Sequence, residues 1–200
     1  MTRSVRIGRV EILNIEDYAP PPFDPQVFFP DVPIDAWEPH RAHHSLDENG
    51  KFRVSFGIFA LISDDFIVLV DTGIGPSVPD MFGGGEGRLM TNLREAGIQP
   101  SQVTAVLNTH LHPDHVGWNM TNGEPTFQNA RYYFSARDYA HWTSDSVLEN
   151  AAHIPTQAQP LEGLGLLELT SDGDEIAHGI KSLWTPGHTP GHQSFLIESD

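Results

Sequence analysis

The chain contains no cysteine, so it can form neither a disulfide bond nor a thiolate metal site. Basic residues are also scarce: Lys and Arg together number 11, against 27 Asp and Glu, for a formal net charge of −16 at pH 7. A protein of that charge repels the phosphate backbone of a nucleic acid. We therefore expect no nucleic-acid partner and disfavour a nuclease.

Long hydrophobic runs are absent as well. No apolar stretch among the 200 residues is long enough to cross a membrane, and the opening segment from Met1 to Arg6 lacks the apolar run of a secretory signal. We therefore expect no membrane association and, by default, a cytoplasmic location. The length fits one domain over residues 1–200, with a leader over residues 1–50.

Histidine, by contrast, is concentrated in one short segment. Residues 109–118 read THLHPDHVGW, which places His110, His112, Asp114 and His115 within six positions. These are ligand types that zinc binds, and side chains alternate in an extended stretch, so His110 and His112 can hold one ion together. Asp114 and His115 diverge from that pair, which suits a second ion. The alternative is a solvated, histidine-rich turn that binds no metal.

A second histidine motif follows the apolar strand Ile180–Trp184. Residues 185–192 read TPGHTPGH, and two Pro-Gly pairs make a stiff turn that can present an imidazole at the end of a strand. Either His188 or His192 would then supply a third ligand to the ion held by His110 and His112. A plain tight turn with a packed histidine is the alternative.

With both motifs in view, the chain resembles the metallo-β-lactamase-fold hydrolase superfamily from about residue 54 onward. The H-x-H-x-D-H signature of that family corresponds to His110, His112, Asp114 and His115, and its next histidine ligand corresponds to His188. The family's D-T-G strand end corresponds to Asp71, which the resemblance implies supports the ligand loop. An aspartate that merely starts a turn is the alternative for Asp71.

The resemblance implies an α/β fold, an αββα sandwich of mixed sheets faced by helices. It also implies a bridging aspartate and a final histidine beyond the TPGHTPGH turn. Asp200 is a poor candidate for that bridge, because it lies only twelve positions after His188, by subtraction of 188 from 200. We therefore expect residues 1–200 to lack the second half of the fold.

The implied function is a hydrolase with two zinc ions, or manganese, cobalt or iron in their place. A metal-bound hydroxide would attack a lactone or ester, in the manner of acyl-homoserine lactonases, arylesterases or phosphotriesterases, and Asp114 would pass a proton to the leaving oxygen. The long leader favours this lactonase and methyl-parathion-hydrolase-like branch. A glyoxalase II-type thioesterase, an iron-dependent redox enzyme and a non-catalytic domain with structural metal stay open.

Outside these motifs the pattern is coarser. Val5–Ile15 reads as one strand, Val54–Ile62 and Phe66–Val70 as a hairpin, and Leu89, Leu93 and Ala96 as a helix that ends at Gly97. Ser135-x-x-Asp138 predicts a capping box for a helix through Trp142.

The N-terminal region keeps several roles open. Residues 19–40 are rich in proline and aromatic residues, and their order or disorder is undecided from composition. If ordered, they line a substrate entrance or form a homodimer contact. His40, His43 and His44 lack a neighbouring carboxylate or cysteine placed like a zinc-finger ligand, so we interpret them as structural or solvated.

Overall fold

The structure is a computed structural model that describes residues 3–43 and 46–200. Its largest element is a seven-stranded sheet in the order β1-β2-β3-β4-β5-β8-β9. The strands of this sheet are β1 (Arg3–Ile7), β2 (Val10–Tyr18), β3 (Phe56–Ile62), β4 (Ile67–Val70), β5 (Ala105–Leu107), β8 (Arg131–Ser135) and β9 (Leu167–Thr170). Strands β1 to β4 pair in antiparallel fashion, and β4, β5, β8 and β9 are parallel.

Two smaller sheets and six short α-helices accompany the large sheet in the described part of the chain. The two-stranded sheet is β6 (Met120–Thr121) with β7 (Glu124–Pro125), and the antiparallel three-stranded sheet is β10 (Glu175–Ala177), β11 (Ile180–Trp184) and β12 (Gln193–Ile197). The helices are α1 (Leu89–Glu95), α2 (Pro113–Val116), α3 (Ala136–Trp142), α4 (Asp145–Leu148), α5 (Ile154–Gln157) and α6 (Gln159–Gly163). Pro25–Val27, Ile34–His43, Asp80–Phe82 and Pro100–Gln102 are 3-10 helices.

The large sheet is buried on both faces. Leu69 and Val106 join the core formed with the helices, whereas Val68 and Leu107 join a second core that contains Ile180 of the three-stranded sheet. Successive side chains of a strand point to opposite faces, so this alternation explains why β4 and β5 are continuous apolar runs. The described residues thus form three layers: the helices, the large sheet and the three-stranded sheet.

Most of the predicted elements are present, with one error. The hairpin and the helix that ends before Gly97 are confirmed. The single strand predicted over Val5–Ile15 is wrong, because the segment forms two strands that pair with each other, Ile7 facing Val10. Gly8 reverses the chain with a φ of 54°, a conformation that glycine adopts at little cost.

Asp17, near the end of β2, is a buried carboxylate that organises the loops beside the sheet. It accepts hydrogen bonds from the backbone N–H groups of Ile74 (2.8 Å), Gly75 (3.2 Å) and Leu89 (2.8 Å), and from Nε1–H of Trp118. Burial raises the pKa of Asp17, although these donors act against that rise. Asp17 therefore joins β2 to the start of α1.

The Pro-rich segment is ordered by an aromatic cluster. The Phe52 ring lies 5.6 Å from Phe23, 6.1 Å from Phe29 and 5.9 Å from Trp37, centroid to centroid. Phe28 and Phe29 still expose 44% and 43% of their surface. The segment therefore packs against the body and also presents an apolar surface. Within the described part of the chain, no helix is long and apolar enough to span a membrane.

Candidate metal centre

The first histidine motif begins where β5 ends. β5 is buried at all three residues, so the chain emerges from the core with its direction set, and His110 follows three positions later. Pro113 opens α2, and His112 before it is extended, at φ −68° and ψ 155°. Proline favours both features, the first helical position and extended backbone before it. Asp114 lies inside α2, in its first turn.

Three imidazoles converge at this edge of the sheet. Nε2 of His110 lies 2.9 Å from Nδ1 of His112, which in turn lies 3.0 Å from Nε2 of His188. The three nitrogens all lie within 4.8 Å of one another. His110 is buried, His112 is half-buried and His188 is exposed, so the group opens to solvent on one side. This convergence across 76 positions is the geometry expected from the two motifs.

The TPGHTPGH turn presents His188 and not His192 to this group. The N–H of Thr185 donates to the carbonyl of His192 (2.9 Å), which closes the turn between β11 and β12. Nδ1 of His192 instead pairs with the Thr185 hydroxyl at 2.9 Å. Of the two histidines left open by the turn motif, the structure therefore places His188 beside His110 and His112.

Asp114 and His115 form a second group next to the first. Nε2 of His115 lies 3.4 Å from Oδ2 of Asp114, and Nδ1 of His115 lies 2.8 Å from Oδ2 of Asp71. The rings of His110 and His115 are 3.9 Å apart between centroids. Asp114 and Asp71 thus contact opposite nitrogens of the His115 ring. That ring lies against His110, so the divergence of Asp114 and His115 from His110 and His112 stays a prediction.

Asp71 adopts a strained backbone conformation directly after β4. Its φ of 64° lies in the left-handed region, which Asp tolerates better than most residues. The residue is 6% exposed, and its carboxylate accepts hydrogen bonds from the N–H of Thr109 (2.8 Å) and from the Thr109 hydroxyl (2.9 Å to Oδ2). The supporting position expected for Asp71 is therefore occupied, and its role in metal binding stays a prediction.

Thr109 is a contact that the sequence motifs did not single out. Its hydroxyl lies 2.9 Å from Oδ2 of Asp71 and 3.0 Å from Nδ1 of His110. Because the single hydroxyl proton is donated to the carboxylate, the oxygen accepts from Nδ1–H of His110. Nε2 of His110 is then unprotonated and faces His112 and His188. The only sequence signal was the position of Thr109 between the strand and the first histidine.

The pKa values of His110 and His115, one from each group, are shifted in opposite directions. Burial, together with the neighbouring rings of His115, His112, His188 and His192, lowers the pKa of His110 to about 2. Burial alone would lower the pKa of His115, but its hydrogen bonds to Asp114 and Asp71 outweigh that effect and raise the pKa to about 10. Burial raises the pKa of Asp114, but the hydrogen bond from His115 acts the other way, and the pKa of Asp114 is lowered overall.

Asp138 is the second residue whose role in the structure differs from what the sequence predicts. The helix α3 is present as predicted, but the capping box is wrong, because the Ser135 side chain makes no capping hydrogen bond. The Asp138 carboxylate accepts instead from the N–H of Leu111 and the N–H of Gly191. No local pattern could have shown this, since the donors lie 27 and 53 positions away.

The other histidines lie apart from this centre or support it indirectly. His40 packs against Trp37, with centroids 6.0 Å apart. Only the backbone of His43 is described, and the expectation for His44 lies outside the described residues. Nε2 of His153 donates to the carbonyl of Leu111 at 2.8 Å, so it steadies the peptide between His110 and His112.

Comparison with known proteins places this geometry in context. The family model described as the metallo-β-lactamase superfamily matches residues 52–200. An N-acyl homoserine lactonase of Bacillus cereus is 28% identical over 159 residues, which cover 71% of this chain and 58% of that protein. The chain therefore spans less than two thirds of the length of this curated relative.

Two solved structures extend the comparison. The hydrolase AbOPH, described as a member of the beta lactamase superfamily, matches with a TM-score of 0.82 and 28% identity, over 99% of this chain and 70% of that one. AidC, described as a dizinc quorum-quenching lactonase in complex with a product, matches with a TM-score of 0.80 and 19% identity, over 99% of this chain and 70% of that one. At that identity, the likeness to AidC shows the fold alone.

Proposed function

The chain belongs to the metallo-β-lactamase superfamily, and from this premise we propose that it is part of a metal-dependent hydrolase that opens lactones or esters. The resemblance stated from the motifs and the α/β sandwich that it implies are both confirmed. The observation that carries the proposal is the convergence of the His110, His112 and His188 nitrogens. N-acyl homoserine lactones are the substrate class we favour, supported by the name of the Bacillus cereus relative.

The donor set fits a divalent metal ion such as zinc. Imidazole nitrogens and carboxylate oxygens are borderline to hard ligands, and histidine must be neutral to bind. Because the pKa of His110 is lowered to about 2, its ring is neutral at neutral pH. His110, His112 and His188 would hold one ion. Asp114 with His115 would hold a second, and binding there would displace the proton that the hydrogen bonds to Asp114 and Asp71 favour on His115. Manganese, cobalt and iron are compatible with the same donors.

Each residue of the site has a part in the reaction. A bound divalent ion would act as a Lewis acid: it would lower the pKa of a bound water to near neutral and polarise the substrate carbonyl. Asp114 is held in its ionised form by His115, so its carboxylate can accept a proton and return it to the leaving oxygen. Asp71 fixes the orientation of the His115 ring through Nδ1.

Asp114→Asn tests this assignment. We expect turnover of N-acyl homoserine lactones to fall by about 10²- to 10⁴-fold, the usual contribution of a proton-transfer group, while the fold is kept. The exposed Asp145→Asn, also in the first turn of a helix, is the matched control and should behave as wild type. Turnover is measured on lactones, esters, thioesters and phosphotriesters with zinc, manganese or cobalt, alongside metal analysis of the native protein.

The outcomes separate the alternatives. Near-wild-type turnover by Asp114→Asn rejects the proton-transfer role. Hydrolysis of thioesters alone contradicts the lactone preference, and iron with oxygen consumption contradicts the hydrolase. No turnover of any substrate supports a non-catalytic domain.

Three further expectations stay predictions: a single domain over residues 1–200, a cytoplasmic location, and a substrate-entrance or homodimer role for residues 19–40.

A further inference from the structure

A single buried carboxylate joins the two histidine motifs. Asp138 is fully buried in the first turn of α3. Its Oδ2 accepts from the N–H of Leu111 at 2.9 Å, and its Oδ1 accepts from the N–H of Gly191 at 3.1 Å. Leu111 lies between His110 and His112, and Gly191 lies three positions after His188. One side chain therefore holds both segments that carry the converging imidazoles.

The approach of the turn to α3 is close enough to require glycine. A Cβ atom at Gly191 would lie 2.1 Å from the backbone N of Asp138 and 2.6 Å from its Cα. Both atoms belong to the helix backbone and cannot move aside as the end of a flexible side chain would. The second Pro-Gly of the TPGHTPGH motif thus serves close packing against α3, in addition to forming the turn.

Other residues of α3 reinforce the same two contacts. The Arg137 guanidinium lies 3.7 Å above the Trp184 ring, at the start of the turn. At the other end of the helix, the Trp142 ring lies 5.2 Å from the His112 ring and 5.3 Å from the His153 ring. The short helix α3 therefore contacts the first motif, and the strand residue that precedes the second motif, independently of Asp138.

We propose that Asp138 is a positioning residue that sets the distance between the His110–His112 segment and His188, and thereby the affinity of the metal site. The inference rests on the proposed function, because it assigns a purpose to the same centre. A carboxylate suits the task, since each oxygen can accept from a separate N–H. Asparagine has one oxygen, and its NH₂ group would face the second N–H without an acceptor.

Asp138→Asn is the direct test, because it keeps the shape of the side chain. We expect zinc, measured by competition with a chromophoric chelator, to bind on the order of 10- to 100-fold more weakly than to wild type. The matched control is Asp17→Asn, which alters another buried carboxylate that accepts backbone N–H groups; it meets the first motif at the Trp118 side chain and hydrogen-bonds to none of the candidate ligand residues. Asp17→Asn should lose stability and keep wild-type zinc affinity.

A second readout does not depend on metal. In the metal-free proteins, hydrogen–deuterium exchange at Leu111 and Gly191 should accelerate together in Asp138→Asn and stay unchanged in Asp17→Asn. If Asp138→Asn does not fold, Gly191→Ala replaces it, because the added Cβ forces the turn away from α3 and leaves the carboxylate intact. Circular dichroism establishes that each variant is folded.

The outcomes distinguish the two proposals. Wild-type zinc affinity in a folded Asp138→Asn overturns the positioning role, and so does unchanged exchange at both amides. Equal loss of affinity in Asp17→Asn also overturns it, because general destabilisation would then be the cause. If wild-type protein binds no zinc, the proposed function fails, and the exchange experiment still decides whether Asp138 joins the two segments.

Discussion

At the residue scale, one buried carboxylate makes contact with a histidine in each of the two candidate ligand groups, directly or through one hydroxyl. Asp71 contacts Nδ1 of His115 directly and reaches His110 through the Thr109 hydroxyl. A hydrogen bond to one ring nitrogen of histidine decides which nitrogen is left to bind a metal. Thr109 thus links the two groups, because its hydroxyl contacts both Asp71 and the ring of the adjacent His110.

Thr109→Val should weaken zinc binding by about 10- to 100-fold, because valine keeps the shape of threonine and lacks the hydroxyl that orients His110. Thr109→Ser keeps the hydroxyl and is the matched control, with affinity close to wild type. Chelator competition measures the affinity of both variants. Equal affinity of Thr109→Val and wild type would show that His110 needs no such partner.

At the element scale, the segment over residues 19–40 is held by ring contacts together with an isolated backbone bridge between Phe23 and Phe52. Its two 3-10 helices lack the hydrogen-bond regularity of long α-helices, and Phe52 contacts Phe23, Phe29 and Trp37 from the next segment of the chain. The composition of residues 19–40 could not decide between order and disorder, because the ring that they pack against, Phe52, lies outside the segment.

Phe52→Ala should release this segment. Each aromatic pair contributes about 0.5–1.5 kcal/mol beyond burial, and the change removes three of them. We expect faster hydrogen exchange and proteolysis over residues 23–37, with the sheet unaffected. Phe59→Ala, at an exposed position of β3, is the control that should leave the segment protected. Unchanged protection in Phe52→Ala would mean that backbone contacts hold the segment.

At the scale of the whole molecule, the candidate metal centre lies where two sheets meet. His110 and His112 follow β5 of the large sheet, whereas His188 follows β11 of the small one. Gln193, buried at the start of β12, fastens the junction: its side chain donates to the carbonyl of Asn108, and its N–H donates to the carbonyl of Thr109. The packing of the sheets therefore decides whether the three imidazoles converge.

Global stability of the metal-free protein should fall as the pH drops below about 6.5. The pKa of His110 is near 6.5 when unfolded and about 2 when folded, so between these values the unfolded chain binds more protons. Urea unfolding in the presence of a chelator measures this dependence. His110→Gln should flatten the acid side of the profile, and the exposed His178→Gln should not. Identical profiles for His110→Gln and wild type would contradict this origin.

The sequence by itself determined the local chemistry. The spacing of His110, His112, Asp114 and His115 and the stiff turn around His188 identified candidate ligands, because short-range spacing and proline geometry are properties of neighbouring residues. Strand β4 was also predictable, since its apolar run reflects burial on both faces.

Only the tertiary structure decided which distant groups meet. It chose His188 over His192, placed the Thr109 hydroxyl between Asp71 and His110, and turned Asp138 from an expected capping residue into a link between two segments. Side chains and backbone amides separated by tens of positions approach one another only after the sheets have packed. Their hydrogen bonds depend on that packing, and no local sequence pattern encodes them.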